Sequence, residues 1–263
     1  MSIRYVRGFG EIRKDPGLFG KLGVATVLTL SGLFVPIVGH AALLGWYSLT
    51  LRQELDGRGT PLPALTFDFD YLGKLVGVGF KALIVGLVWT LPMMILAATV
   101  GTCLYTGLGF VVGVIGSSLE DGGGAGSAAG MVLFVLLMVA GLVLAILLAG
   151  LALAPATIAV VRTEVSGEIG EGLKVGEVLR ATRLVLKELV VGSIANGLVG
   201  ALVMLGGFLL LCVGMYPALA AANAARAFFH ADIYRLAVER GMPPLQLAPA
   251  ALASKSIASA AQR

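Results

Sequence analysis

Four apolar runs, Leu18–Leu51, Leu75–Gly116, Ala129–Val161 and Leu189–Phe229, cover more than half of this 263-residue chain. A helical membrane crossing needs about 20 apolar residues, so each run suffices for one crossing and all have length to spare. The chain is 58% hydrophobic and only 13% charged, whereas a soluble domain carries about 25% charged residues. It has too few polar side chains to wrap a water-facing surface around a core of this size. The 37 glycines suit helices in lipid, where small residues let backbones approach closely. An all-α integral membrane protein follows.

The basic residues set the number of crossings. Arg4, Arg7, Arg13, Lys14 and Lys21 precede the first run, and Arg52, Arg58, Lys74 and Lys81 follow it. Arg162, Lys174, Arg180, Arg183 and Lys187 lie between the third and fourth runs, and Arg226, Arg235, Arg240, Lys255 and Arg263 close the chain. Cytoplasmic loops collect Lys and Arg, while acids carry little topological information. The loop Ser117–Ser127 has only Glu120 and Asp121 among glycines and reads as external. If all four basic groups are cytoplasmic, the first run crosses twice with a turn near Ser31–Gly39, helped by Pro36 and Gly39. The second and third runs cross once each, and the fourth turns near Gly206–Gly214. Six transmembrane helices in three hairpins result, with both termini cytoplasmic and the chain in the cell (inner) membrane. Hydropathy alone also permits four or five spans.

A weak threefold repeat, over about 1–59, 66–170 and 173–240, agrees with three hairpins within one transmembrane domain spanning 1–240. Each unit opens with an amphipathic stretch of the kind that lies in a membrane interface. In the first, Arg4, Arg7, Glu11 and Lys14 make a polar stripe, with Ile3, Val6, Phe9 and Ile12 on other faces. The second is Phe67–Lys74, with Thr66 placed as N-cap. In the third, Arg180, Arg183 and Lys187 oppose Val175, Val178, Leu179, Leu186 and Leu189. Arg52-Gln53-Glu54 matches Arg162-Thr163-Glu164, and Ala154-Pro155-Ala156 matches Tyr216-Pro217-Ala218.

The apolar stretch after the N-terminal charges runs on to Leu51, past any cleavage point near Gly39-His40-Ala41, so a retained span is expected rather than a signal peptide. Residues 241–263, rich in Pro, Ala and Ser, read as a disordered cytoplasmic tail. Cys103 and Cys212 lie within or at the edge of apolar runs. Buried free thiols are expected of them, with a disulfide open only if both reach an oxidising face. The net charge of +4 is spread over four segments without interleaved aromatics, which speaks against nucleic acid.

Gly45-Trp46-Tyr47 followed by Arg52, then Pro61-Leu62-Pro63, then Phe67-Asp68-Phe69-Asp70 and Gly73, resembles the family known as domain of unknown function 4013. So do Pro217, Ala225-Arg226-Ala227-Phe228-Phe229-His230 and Tyr234-Arg235. The resemblance runs from about Leu18 to Val238, and the Gly-rich stretch Asp121–Gly126 has no counterpart in it. It implies a prokaryotic multi-pass membrane protein and brings no established activity.

An ionisable group inside a span is a functional candidate by default, yet all 15 acidic residues fall outside the apolar centres. That weighs against proton coupling through a buried carboxylate. His40 at the first turn, His230 at the cytoplasmic boundary, and Asn196 and Asn223 in the last hairpin are the polar candidates in or near spans. Each has a structural reading first: the histidines as satisfied boundary residues, the amides as bonds across helices. Lys81 is expected to snorkel to the interface. Gly109–Gly113 matches GxxxG, and Gly192, Asn196 and Gly200 recur every four residues, as close helix packing would need. No HExxH, GxSxG or Cys–His set is present, and no cofactor or metal site is expected. A non-catalytic membrane component, a scaffold or subunit of a complex, is the first expectation, with the lipid bilayer and other membrane proteins as partners. A permease or lipid-handling protein is the alternative. Its support is Thr90, Thr99, Thr102, Tyr105, Ser193 and Asn196, with Pro92, Pro155 and Pro217 as helix breakers.

Overall fold

A computed structural model of the chain describes residues 5–32, 36–58, 61–119, 132, 135–136, 139–141, 153–209 and 214–249. Every regular element among them is helical. In chain order these are α1 (Arg7–Ile12), α2 (Leu18–Ser31), α3 (Pro36–Leu55) and α4 (Phe69–Leu119). After them come α5 over residues 153–166, α6 (Ile169–Leu173), α7 (Val175–Leu209) and α8 (Met215–Glu239). The chain divides into two compact units, Met1–Leu87 with Ala154–Arg263, and Val88–Leu153. Among the described residues two stretches are long and apolar enough to cross a membrane: the 24 residues Phe69–Pro92 at the start of α4, and the 35 residues of α7.

In the first unit α8 lies at the centre, packed against α1, α2, α3 and α7. Its sequence explains that position. Ala218, Ala220, Ala224, Ala225, Ala227 and Ala231 are all buried, and small side chains on several faces let neighbours approach from several directions. α1 comes so close that a Cβ on Gly8 would strike the backbone of Ala225. Around Phe228 the core gathers Trp46, Leu49 and Leu75 from other elements.

The first turn falls where the sequence puts it, with α2 ending at Ser31 and α3 opening at Pro36. Its chemistry differs from expectation. Pro36 begins α3, where its missing N–H costs nothing, and Gly39 lies within α3 against the Leu28 carbonyl. The last turn likewise falls between Leu209 and Met215.

Only the first unit has a separate amphipathic helix, α1. The second and third stretches are the opening turns of α4 and α7, because nothing at Lys74–Leu75 or Lys187–Glu188 interrupts the backbone hydrogen-bond ladder. Thr66 is not the cap of α4. Asp68 is, accepting from the N–H groups of Asp70 at 2.9 Å and Tyr71 at 3.2 Å. On α7 the buried face is Val178, Ala181, Thr182, Val185 and Leu189, while Val175 and Leu179 are exposed. None of the three prolines breaks a described helix: Pro92 sits inside α4, Pro155 lies within the described part of α5, and Pro217 occupies the opening turn of α8.

Residues 241–249, expected in a disordered tail, are held against the first unit. Met242 is buried, the Leu245 N–H donates to the Tyr234 hydroxyl at 2.8 Å, and the Ala248 N–H donates to the Val165 carbonyl at 2.9 Å. Apolar Met242 and these backbone bonds offset the entropy that composition alone predicts will win. Residues 250–263, the Gly-rich loop at Asp121–Gly126 and Cys212 lie outside the described residues, as does the side chain of Cys103, so the thiol pairing does too.

In the second unit, the α4 residues Val88, Leu91, Met94 and Ile95 expose apolar side chains. Thr99, Thr102 and Thr106 turn their hydroxyls back onto carbonyls one turn earlier, at 2.8–2.9 Å.

Candidate functional site

Long apolar helices leave their charged residues at the ends, and in the first unit those ends meet. Arg52-Gln53-Glu54 closes α3 and Arg162-Thr163-Glu164 closes α5, each three residues before a glycine of positive φ, Gly57 at 77° and Gly167 at 73°. All six residues of the two triplets are buried. A buried charge needs a partner and hydrogen bonds, and the fold provides them in three places.

Glu54 is held by two guanidinium groups. Arg7 of α1 donates to its Oε1 at 2.5 Å and Arg235 of α8 donates to the same oxygen at 3.0 Å. Arg235 also donates to the Glu54 backbone carbonyl. Arg7 reaches on to Asp232 Oδ1 at 3.2 Å, and Arg235 lies 3.6 Å from it. Two acids and two arginines thus balance, and they join α1, α3 and α8.

Glu164 has a different setting. Ser48, fully buried on α3, donates to its Oε1 at 3.1 Å. Arg52 donates through Nε to the Glu164 backbone carbonyl at 2.6 Å, so its hydrogen bond goes to peptide and not to carboxylate. Burial pushes the Glu164 carboxyl up to about 7, against the opposing Ser48 hydrogen bond and the charges of Arg52 and Arg226. Arg226 is exposed on α8.

Arg162, 1% exposed, donates to Glu171 Oε2 at 2.7 Å and to Glu177, and its Nε donates to the Glu171 carbonyl at 3.1 Å. The remaining nitrogen, Nη1, is buried without a hydrogen-bond partner among the described residues. These bonds tie α5 to α6 and α7.

The loop between α3 and α4 is pinned through Trp46 and Pro61-Leu62-Pro63, which carry the family resemblance, and through residues around them. Trp46, fully buried, donates from Nε1 to the Pro63 carbonyl at 3.0 Å. Gln53 donates to the Pro61 carbonyl at 2.5 Å and Tyr71 to that of Ala64 at 2.6 Å. Asp15 accepts from the Leu62 N–H at 2.8 Å and from Lys21 at 2.6 Å.

The four polar candidates do not converge. His40 is exposed on α3, facing Gly32 across the turn. Asn196 donates to the Tyr5 carbonyl at 2.7 Å and to Gly192 at 2.9 Å, tying α7 to the segment before α1. Asn223 shares a hydrogen bond with Tyr47, joining α8 to α3, and donates to the Leu219 carbonyl at 3.0 Å. His230 stacks obliquely beside Phe229, and its Nε2 is buried without a partner among the described residues. Lys81 donates to the Gly167 carbonyl at 2.8 Å. Gly192 packs under the Phe229 ring and Gly200 meets Ala222, so that stripe carries the α7–α8 contact, while Gly109 faces open space. Among the described residues no three metal-binding side chains converge. In the sequence Arg7 belongs to a polar stripe, Arg235 to a basic group, and Glu54 and Glu164 to matching triplets, while Asp232 carries no signal of its own. The recurring Arg-x-Glu-x-x-Gly pattern was the signal available for two of them.

Fold and site together define a helical protein with, among the described residues, two membrane-length apolar stretches and a buried ion-pair network at the ends of its helices. The family model for proteins of unknown function known as DUF4013 matches residues 28–212, and the chain belongs to that family. The matched residues include Trp46, both Arg–Glu triplets and the pinned loop, while Pro217 and Ala225–Arg235 lie beyond them. No curated protein and no solved structure matches the chain.

Proposed function

We propose that this chain is a multi-pass protein of the cell membrane that works without catalysis, as a scaffold or subunit of a larger membrane complex. One observation carries the reading: α7 leaves Ile194, Leu198, Leu202, Leu205 and Leu209 uncovered, at 48–77% exposure, in one continuous row. Water would make that row costly, and lipid or a neighbouring apolar helix would cover it. The ends of α2 at Ser31 and α7 at Leu209, with new helices at Pro36 and Met215, support the six-span, three-hairpin arrangement, and the shared Arg-x-Glu-x-x-Gly endings support its repeat in the first two units.

Scaffold is preferred to permease for physical reasons. The buried charges near the helix ends are spent on holding helices together, α1, α3 and α8 in one place and α5, α6 and α7 in another, instead of lining a path. The α4 threonines satisfy themselves along their own helix, and the prolines break nothing. Gentle solubilisation of native membranes followed by affinity purification tests this. A stoichiometric membrane partner is expected, and a chain that always elutes alone, at its own mass plus detergent, would contradict it.

A further inference from the structure

The outward face of α7 changes character once along its length. Arg180, Arg183 and Lys187 are exposed and, at i, i+3 and i+7, share one side of the helix. The same side continues through Val191, Ile194, Leu198, Leu202, Leu205 and Leu209, which are 42–77% exposed. The opposite side, Val178, Val185, Leu189, Gly192, Gly200 and Gly207, is buried. From Val191 to Leu209 the row is about 27 Å long at 1.5 Å per residue, close to the roughly 30 Å of a bilayer's hydrocarbon.

The three cations differ from their neighbours in pairing, and unlike Arg13 and Lys74, exposed and unpaired among the described residues, they stand together on one helix face. Nearby Arg162 and Lys174 are matched to Glu171, and Arg240 takes Glu188 at 2.5 Å. Among the described residues Arg180, Arg183 and Lys187 form no ion pair, and Glu188 beside Lys187 is taken by Arg240. Lys187, Arg183 and Arg180 follow one another about one, two and three turns before Val191.

We propose that this face binds anionic phospholipids, with headgroup phosphates on Arg180, Arg183 and Lys187 and acyl chains along the row from Val191 to Leu209. The inference rests on the membrane reading above. It favours lipid over an acidic protein segment because the charged and apolar parts are continuous on one helix face, and an anionic amphiphile satisfies both.

Basic residues at an anionic leaflet contribute about 1 kcal/mol each, or about fivefold in affinity per cation. The test reconstitutes the full chain in nanodiscs of equal phosphatidylglycerol and phosphatidylcholine, releases it into mild detergent, and measures the lipid retained by native mass spectrometry. Wild type is expected to retain phosphatidylglycerol preferentially. The triple variant Arg180→Gln, Arg183→Gln, Lys187→Gln is expected to lose that preference by roughly tenfold or more. A control, Lys14→Gln, Arg58→Gln, Lys174→Gln, removes three exposed but paired cations and is expected to keep it. Equal retention of both lipids by wild type, an unchanged preference in the triple variant, or an equal loss in the control would each overturn the inference. A chain that never enters the nanodisc would overturn the membrane reading itself.

Discussion

Glu54 and Glu164 stand at the same step of the same short pattern, yet their surroundings differ in what neutralises them. Glu54 is gripped by Arg7 and Arg235, whose side chains are 27% and 29% exposed. Removing the carboxylate leaves two largely buried cations sharing Asp232, with Glu11 beside them, 3.8 Å from Arg7. Glu54→Ala is therefore expected to cost about 3 kcal/mol, the lower end for breaking a buried pair, since both arginines can partly rehydrate. Apparent melting in detergent, compared with Arg7→Ala and the double variant, checks this, and additive losses would deny the coupling. Glu164 is the opposite case. Its folded value near 7 lies above the ordinary 4.5, so the folded state holds a proton that the unfolded chain has released. The stability it gives is complete below about pH 4.5 and is lost as pH rises toward 7, by about 3 kcal/mol at most. Glu164→Gln is uncharged throughout, so its melting temperature is expected to be flatter over that window and above wild type at pH 8. Parallel curves would show that another group is responsible. The triplets were legible as charge at the ends of apolar runs. What they touch was not, because Ser48 and Glu164 are 116 residues apart and no local pattern encodes that meeting.

At the scale of elements, glycine decides where helices cross. A Cβ at Gly79 of α4 would run into the Ala41 carbonyl of α3, and one at Gly45 into the Leu75 carbonyl of α4. At Gly77, two residues from Gly79, a Cβ meets nothing within 4 Å. Gly79→Ala is expected to destabilise by about 1–3 kcal/mol through forced separation of the backbones, while Gly77→Ala is expected to stabilise by up to about 1 kcal/mol through helix propensity. Melting curves of the two variants in one detergent give the comparison, and equal shifts would refute the crossing. The breaks between α2 and α3 and between α7 and α8 were legible from the basic clusters, which require the chain to return, and from Pro36 at the first of them. The merging of amphipathic stretches into α4 and α7 was not. Helices end at backbone breaks, not where side-chain polarity changes, and Lys74–Leu75 and Lys187–Glu188 contain no break.

For the whole molecule, composition and basic clusters support the membrane proposal, and the exposed apolar row of α7 gives it a surface. Family membership adds the company the chain keeps without adding an activity. The central claim is that every basic group stays on the cytoplasmic side, so that the chain returns after each excursion. It is tested most directly by single cysteines in a Cys103→Ser, Cys212→Ser background, treated in intact cells with a membrane-impermeant maleimide. Gly124→Cys is expected to label at once, and Arg58→Cys only after the cells are opened. Labelling of Arg58→Cys in intact cells would contradict the account.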